Sequence, residues 1–376
     1  MTSVQTTARP EVDEAAPIQL LSPEGELRVD ARIDFDLDAT DLVALYRDMV
    51  MSRRIDSEAI ALQRQGELGL WPSMLGQEAA QVGAARATRT QDMLFPTYRE
   101  HGIAWCRGVD PVDLLGLFRG TTLGGWNPRD NNVNVYTLVI GAQTLHACGY
   151  GMGVVRDQVV GTGDATVDTA VLVFLGDGAL SEGETNEAFV WSAAMGLPVV
   201  FFIQNNQWAI SAPFSTQSRV PAAQRGAGFG IPSVRVDGND VLACLGATRA
   251  ALDNARTGGG PTLIEALTYR LNPHTTSDDA GRYRPREDED RWRALDPITR
   301  VANYLRSSGT DVEALDSRLA EESEALAVRL RAGCRALPEP SIEESFQHTY
   351  RDMPSELQRQ LRVAVSHPSQ SDEEQS

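Results

Sequence analysis

Cysteine is scarce and scattered in this chain. Its four thiols, Cys106, Cys148, Cys244 and Cys334, have neither zinc-ligand spacing nor the framework of a small disulfide-bonded secreted domain. No stretch approaches the ~18 consecutive apolar residues that a membrane span needs, and the start, Met1-Thr-Ser-Val-Gln-Thr-Thr, lacks the apolar core of a signal peptide. Positive charge is outweighed, with 34 Lys and Arg against 52 Asp and Glu for a net charge of −18. That balance disfavours nucleic acid as a partner, and no polybasic patch is present for a membrane surface. Internal repeats are absent too. What remains is a chain of 376 residues, able to bury a large core in one domain or two, and expected in the cytoplasm with reduced thiols. Since no general positive field exists, an anionic ligand would need a local cationic site.

The informative text lies in the middle. Val171-Leu-Val-Phe-Leu is an apolar run ending in Gly176-Asp177-Gly178, and Phe201-Phe-Ile-Gln is a second one ending in Asn205-Asn206. Residues 181–195 between them read as a helix: Ser181 and Glu184 have capping-box spacing, and Gly196 with Pro198 closes it. Strand, helix and strand in this order form a parallel, right-handed crossover. The fold class is therefore α/β, a parallel sheet with flanking helices, and both polar turns fall at the carboxyl edge where such sheets bind ligands. Gly176 and Gly178 let the backbone approach a ligand without Cβ interference. Asp177 would repel a bare phosphate, so its use beside one calls for a cation. Magnesium, which takes hard oxygen ligands shared between protein and phosphate, could use the Asp177 carboxylate, the Asn206 amide oxygen and a backbone carbonyl just beyond. A tight turn and an Asn-rich loop without any ligand is the plainer alternative.

Residues 1–38 are rich in Pro, Glu, Asp and Thr and read as an extended N-terminal arm. Residues 39–350 read as the α/β domain with a helical C-terminal part, and residues 351–376 as a polar helix and tail. A helix capped by Thr40 or Asp41 is expected to run through Leu62, with Leu42, Leu45, Tyr46 and Met49 at helical spacing. A second helix carries residues 77–87, Pro111 opens a third at Val112, and residues 120–136 read as an irregular surface loop. Tyr98 and Arg99 follow the strand Met93-Leu-Phe-Pro; the planar, multi-donor Arg head suits a phosphate, and Tyr adds a hydroxyl. Residues 234–236 and 262–267 bracket a helix from Asp240 to about Thr257, a second parallel crossover. His274 then follows a strand on the ligand edge, in a turn-rich loop, where His could donate to a diphosphate or move a proton. His146 reads equally as a structural helix residue or a substrate-side one. His348 and His367 belong to an acidic region remote from the chemistry.

Gly176-Asp177-Gly178, then 26 intervening residues and Asn205-Asn206, resembles the thiamine diphosphate and magnesium signature. Gly76-Gln-Glu-Ala, Tyr98-Arg-Glu-His-Gly, Gly141-Ala-Gln-Thr-Leu-His-Ala, Asn205-Asn-Gln-Trp-Ala-Ile-Ser and His274-Thr-Thr-Ser-Asp-Asp with Tyr283-Arg also occur in order. Together, over residues 40–350, they resemble the alpha subunit of the first, decarboxylating component of 2-oxo acid dehydrogenase complexes, of the bacterial branched-chain type. The resemblance implies thiamine diphosphate and magnesium as cofactors. It places Tyr98, Arg99, Gly176, Asp177, Gly178, Ala179, Asn206 and His274 on the cofactor, together with the backbone at Ile140. Asp177, Asn206 and the Trp208 carbonyl are its implied metal ligands, although the family more often has Tyr at that last position. His274 is the implied catalytic residue, contacting the diphosphate and ordering its loop. Thr275 stands where animal relatives carry a phosphorylated serine, and Gln204 where some relatives carry a basic residue.

The implied activity is decarboxylation of a branched-chain 2-oxo acid, such as 3-methyl-2-oxobutanoate, and reductive acylation of the lipoyl group on the acyltransferase core. The family's pyrimidine-binding glutamate comes from a second subunit or domain. No second α/β unit follows residue 300, so that half is expected on a separate beta chain in an alpha2-beta2 heterotetramer. Pyruvate as substrate, an acetoin dehydrogenase alpha subunit and a noncatalytic ligand-binding paralogue are the alternatives; intact Asp177, Asn206, Arg99 and His274 speak against the last.

Overall fold

A computed structural model describes residues 16–33, 39–347 and 349–366. Its strands are Met93–Phe95 (β1), Val171–Gly176 (β2), Val199–Asn205 (β3), Trp208–Ala209 (β4), Ala212–Pro213 (β5), Ser233–Asp237 (β6) and Thr262–Leu267 (β7). Five of them form one parallel sheet in the order β1-β2-β3-β7-β6, while β4 and β5 make a small antiparallel ribbon. β2 and β3 are nearly continuous apolar runs because helices cover both faces of the sheet. Successive side chains alternate between the faces. Leu172, Phe174, Val200 and Phe202 join one core cluster, and Val171, Val173, Val199 and Phe201 join the other.

The helices on the first face are Ala39–Arg64 (α1) and Glu78–Arg86 (α2), followed along the chain by His101–Cys106 (α3), Pro111–Arg119 (α4) and Pro128–Asn131 (α5). Ala142–Arg156 (α6) and Gly183–Met195 (α7) cover the second face. Short helices Phe214–Gln217 (α8) and Arg225–Phe229 (α9) precede Val241–Arg256 (α10), which packs on α2 against the first face. Arg286–Arg293 (α11), Pro297–Ser307 (α12) and Val312–Ala336 (α13) follow β7, and α13 lies along α1, where the Tyr46 hydroxyl donates to Asp316 at 2.7 Å. Two further helices, Glu344–Gln347 (α14) and Ser355–Ser366 (α15), bury no residue within the chain. All four cysteines are free. Among the described residues, no helix is long and apolar enough to cross a membrane.

Both expected crossovers are present, β2–α7–β3 and β6–α10–β7, with Asp240 capping α10. Several local details differ from the sequence reading. Asp177–Ser181 forms a turn of 3-10 helix before α7, so Glu182 takes the cap position without a side-chain bond, and the Ser181–Glu184 capping box does not form. Helix α1 begins at Ala39, so neither Thr40 nor Asp41 caps it, and the preceding positions 34–38 lie outside the described residues, as do His348 and His367. The 120–136 loop is not wholly superficial. Val133 bridges to Leu94, and Tyr136 is buried beneath it, its hydroxyl 3.0 Å from His101 Nδ1.

The N-terminal segment runs along the outer edge of β6, where Ile18 N–H donates to the Arg235 carbonyl and Asp237 N–H to the Ile18 carbonyl, both at 2.9 Å. Such cover removes an open sheet edge. Asp240, fully buried, ties this segment to α10: it accepts from Leu20 and Leu21 N–H at 2.6 and 2.7 Å, and from Leu242 and Ala243 N–H at 2.9 and 3.2 Å. Asp240→Ala would leave those donors without their acceptor and remove a helix cap. A loss of about 3–5 kcal/mol is expected, read as a lower urea midpoint at unchanged slope. A loss under about 1 kcal/mol would show that the carboxylate is not the tie.

Candidate active site

Parallel strands deliver their C-terminal turns to one edge, and that edge carries a cavity of about 240 Å³. Tyr98 and Arg99 arrive from the turn after β1, Gly176, Asp177, Gly178 and Ala179 from the end of β2, Asn206 and Trp208 from beyond β3, and His274 from the loop after β7. Ile140, just before α6, closes one side. The ten residues expected at the cofactor and metal from sequence thus line one cavity. His146 does not; it is exposed on α6.

Arg99 is anchored so that its charge faces inward. Its Nη1 donates to the Ser73 carbonyl at 2.6 Å and its Nη2 to the His274 carbonyl at 2.9 Å. The same Nη2 stands 3.2 Å from His274 Nδ1. A guanidinium can only donate, so Nδ1 accepts and the ring proton sits on Nε2. Burial first, and then the charges of Arg99 and Arg270, push the His274 imidazole down to about 3. This environment favours the neutral ring, with Nε2–H left to donate into the cavity. The Tyr98 ring lies with its face 5.5 Å from the Arg99 guanidinium and meets the His274 ring edge-on, 6.2 Å between centroids.

Asp177 supplies the opposite charge. It is buried, and burial pushes its carboxyl up to about 6 against the pull of its hydrogen bonds. Gln217 Nε2 donates to it at 3.2 Å, and the backbone N–H groups of Asp177 and Asn206 also pull its carboxyl down. A buried carboxylate that makes no ion pair among the described residues fits a hard cation. Asn206 presents its amide oxygen nearby, held by a long 3.3 Å bond from Trp208 N–H, while its Nδ2 donates to Gln77 Oε1 at 3.2 Å. The Trp208 carbonyl already accepts from Arg270 Nη1 at 2.8 Å; its second lone pair is free for a metal. No cluster of three or more His, Cys, Asp or Glu side chains suited to a metal occurs among the described residues. A site with one carboxylate must draw its remaining oxygens from amides, carbonyls and the ligand itself.

The glycines on the β2 turn act differently from one another. A Cβ at Gly178 would meet the Ala209 Cβ at 2.9 Å, so Gly178 is required by the approach of the β4 segment. A Cβ at Gly176 would point into open space, leaving backbone bare at the cavity wall.

Three lining residues have roles that the sequence reading did not assign. Gln77 is fully buried, and its Nε2 has no partner, a spare donor at the cavity. Gln204, at the position where a basic residue was a possibility, donates instead to Glu100 at 2.6 Å and accepts from Gln81 at 3.2 Å. Glu100 in turn accepts from Thr97 N–H, so this buried chain braces the turn bearing Tyr98 and Arg99. Arg270, also buried, supplies a second guanidinium beside Arg99. In sequence, Gln77 lies within Gly76-Gln-Glu-Ala, and the signal for Arg270 is its place four residues before His274. Two cations, a neutral histidine, a hydroxyl and an amide thus converge opposite one buried carboxylate. That donor set fits a diphosphate bridged to a divalent cation.

The chain is similar in sequence to known proteins. The family described as dehydrogenase E1 component matches residues 46–328. The 3-methyl-2-oxobutanoate dehydrogenase subunit alpha of Mycobacterium tuberculosis (strain ATCC 25618 / H37Rv) is 43% identical over 346 residues, 92% of each chain. The pyruvate dehydrogenase E1 component subunit alpha of Acholeplasma laidlawii is 37% identical over 338 residues, 88% of this chain and 95% of the relative. Its namesake from Bacillus subtilis (strain 168) is 33% identical over 347 residues, 92% of this chain and 91% of the relative.

Proposed function

This chain belongs to the dehydrogenase E1 component family, and on that premise we propose that it is the alpha subunit of a branched-chain 2-oxo acid dehydrogenase. The reaction is decarboxylation of an acid such as 3-methyl-2-oxobutanoate, with reductive acylation of a lipoyl group on an acyltransferase core. The observation that carries the reading is the pairing of the Arg99 and His274 donors with the buried Asp177 carboxylate across one cavity.

The cofactor in this proposal is thiamine diphosphate with magnesium, which supplies the electron sink for loss of carbon dioxide when bound. Arg99, Tyr98 and the Nε2–H of His274 hold the diphosphate, and Gln77 Nε2 is placed to add a fourth donor. Asp177, the Asn206 amide oxygen and the Trp208 carbonyl hold the metal. Gly176 and Ala179 offer backbone at the wall, and Gly178 keeps the Ala209 segment close. The Ile140 backbone meets the ring end of the cofactor. Fixed by Arg99, His274 contributes to catalysis by orienting and donating to the diphosphate. A beta subunit completes the site in a two-alpha, two-beta assembly, and the cytoplasm is the proposed compartment.

The substrate assignment leans on the 43% identical relative, whose name carries 3-methyl-2-oxobutanoate. Pyruvate is the second reading, favoured by the names of the 37% and 33% identical relatives. A panel of 2-oxo acids assayed with the complex and an artificial electron acceptor decides between them. Two extra methyl groups in a fitted pocket are expected to raise kcat/KM for 3-methyl-2-oxobutanoate over pyruvate by at least about tenfold. The reverse ratio would assign the chain to pyruvate, and turnover of acetoin alone would remove the 2-oxo acid.

A further inference from the structure

The segment between β3 and β5 is strained. Among the described residues, four non-glycine positions have positive φ, and two of them, Gln207 at +70° and Ile210 at +55°, fall in this turn. A left-handed conformation is costly for any side chain, and most of all for a β-branched one such as Ile. Strain of this kind persists only where surrounding contacts over-determine it. The turn carries Asn206 and Trp208, two of the three candidate metal ligands.

Arg270 reaches across to it from beyond β7. Its Nη1 donates to the Trp208 carbonyl at 2.8 Å and its Nη2 to the Ile210 carbonyl at 2.9 Å. The side chain is 1% exposed, and its Nε is buried with no partner. Burying a guanidinium beside Arg99 is unfavourable, and Arg270 spends its hydrogen bonds on two carbonyls instead of on a carboxylate. Such an arrangement is unproductive for stability and needs another reason. Nη1 also lies 3.5 Å from His274 Nδ1, so one planar head touches the metal-side turn and the diphosphate-side histidine together. A lysine could not do this, since an ammonium is a point charge without the fork geometry; the chain contains no lysine at all.

We propose that Arg270 is a positioning residue. Its guanidinium clamps the Trp208 and Ile210 carbonyls, holds the strained 207–210 turn in the form that presents the metal ligands, and sets His274 in the same act. The inference rests on the metal and diphosphate reading of the cavity. It implies that the metal turn is shaped before the cofactor arrives, and that this shape fails when Arg270 is removed.

The test uses the complex with its beta chain and two readouts. Magnesium affinity at saturating thiamine diphosphate is measured by isothermal titration, and amide hydrogen exchange across residues 207–212 is measured on the cofactor-free complex. Arg270→Met is expected to weaken magnesium about tenfold, or about 1.4 kcal/mol, and to speed exchange in the turn. Arg270→Lys should lose nearly as much, because charge without the fork cannot hold both carbonyls. Ile210→Gly removes the left-handed penalty, so the double variant Arg270→Met with Ile210→Gly should return to within about threefold of wild type. Should the Met variant not fold, Arg270→Lys with and without Ile210→Gly makes the same comparison. Wild-type magnesium affinity in Arg270→Met or Arg270→Lys, or no recovery on adding Ile210→Gly, overturns the clamp. A wild-type complex that binds no thiamine diphosphate overturns the cofactor reading instead; the exchange measurement then still decides the clamp.

Discussion

Asp177→Asn is expected to weaken magnesium-dependent binding of thiamine diphosphate by about a hundredfold, or about 2.7 kcal/mol, without lowering the melting temperature. Asn keeps the size and shape of the side chain and removes only its charge. Burial already pushes the Asp177 carboxyl up to about 6, so the folded chain without a cation gains nothing from that charge. A neutral amide in its place spares the fold the burial of an anion. A cation at the site reverses this balance, because the charged oxygen is then its chief protein ligand. Folding and metal binding should therefore move apart in this variant. Titration of the complex with cofactor and magnesium, paired with a thermal melt, reads both. Unchanged affinity would remove Asp177 from the metal site, and a large drop in melting temperature would make its role structural.

The elements most legible in the sequence are those written in local terms. The β2–α7–β3 and β6–α10–β7 units each combine an apolar run, a helix and a closing turn within 35 residues, and Asp240 stands at the head of α10 as caps do. Residues at the ends of parallel strands must share an edge, so the sequence alone gathers Tyr98, Asp177, Asn206 and His274. What escaped depends on partners distant in sequence. Arg270 matters through carbonyls 62 and 60 residues earlier, and no motif encodes where a carbonyl will point. The neutrality of His274 comes from burial and from two arginines, one of them 175 residues away. Ser181 and Glu184 show the opposite failure: their spacing is right for a capping box, but the turn of 3-10 helix after Gly176 moves the helix start past Ser181. The cover of β6 by residues near Ile18 rests on a single bridge, too short a pairing to leave a periodic pattern.

The purified chain alone is expected to show no 2-oxo acid turnover, and co-expression with its beta chain to raise the rate at least about a thousandfold, the equivalent of about 4 kcal/mol in the barrier. The first reason is the set of carboxyl groups at the cavity. Asp177 belongs to the metal in this reading, Glu100 is bonded to Thr97 N–H and Gln204, and Glu182 is exposed at the rim with no hydrogen bond to hold its carboxylate. None is fixed where it could activate the ring end of the cofactor. The second reason is the shape of the mouth. Between the lining residues Thr137 and Gly141 run Leu138, Val139 and Ile140, which are 59%, 69% and 40% exposed, and Ile210 opposite is 56% exposed. Apolar side chains in a consecutive exposed run mark a surface that another surface covers, and covering this one would keep water from the reacting carbon. The decisive assay follows reduction of an artificial electron acceptor with 3-methyl-2-oxobutanoate, for the single chain and for the pair at equal alpha concentration. Robust turnover by the single chain would sink the two-chain reading, because every group needed for decarboxylation would then have to lie within these residues.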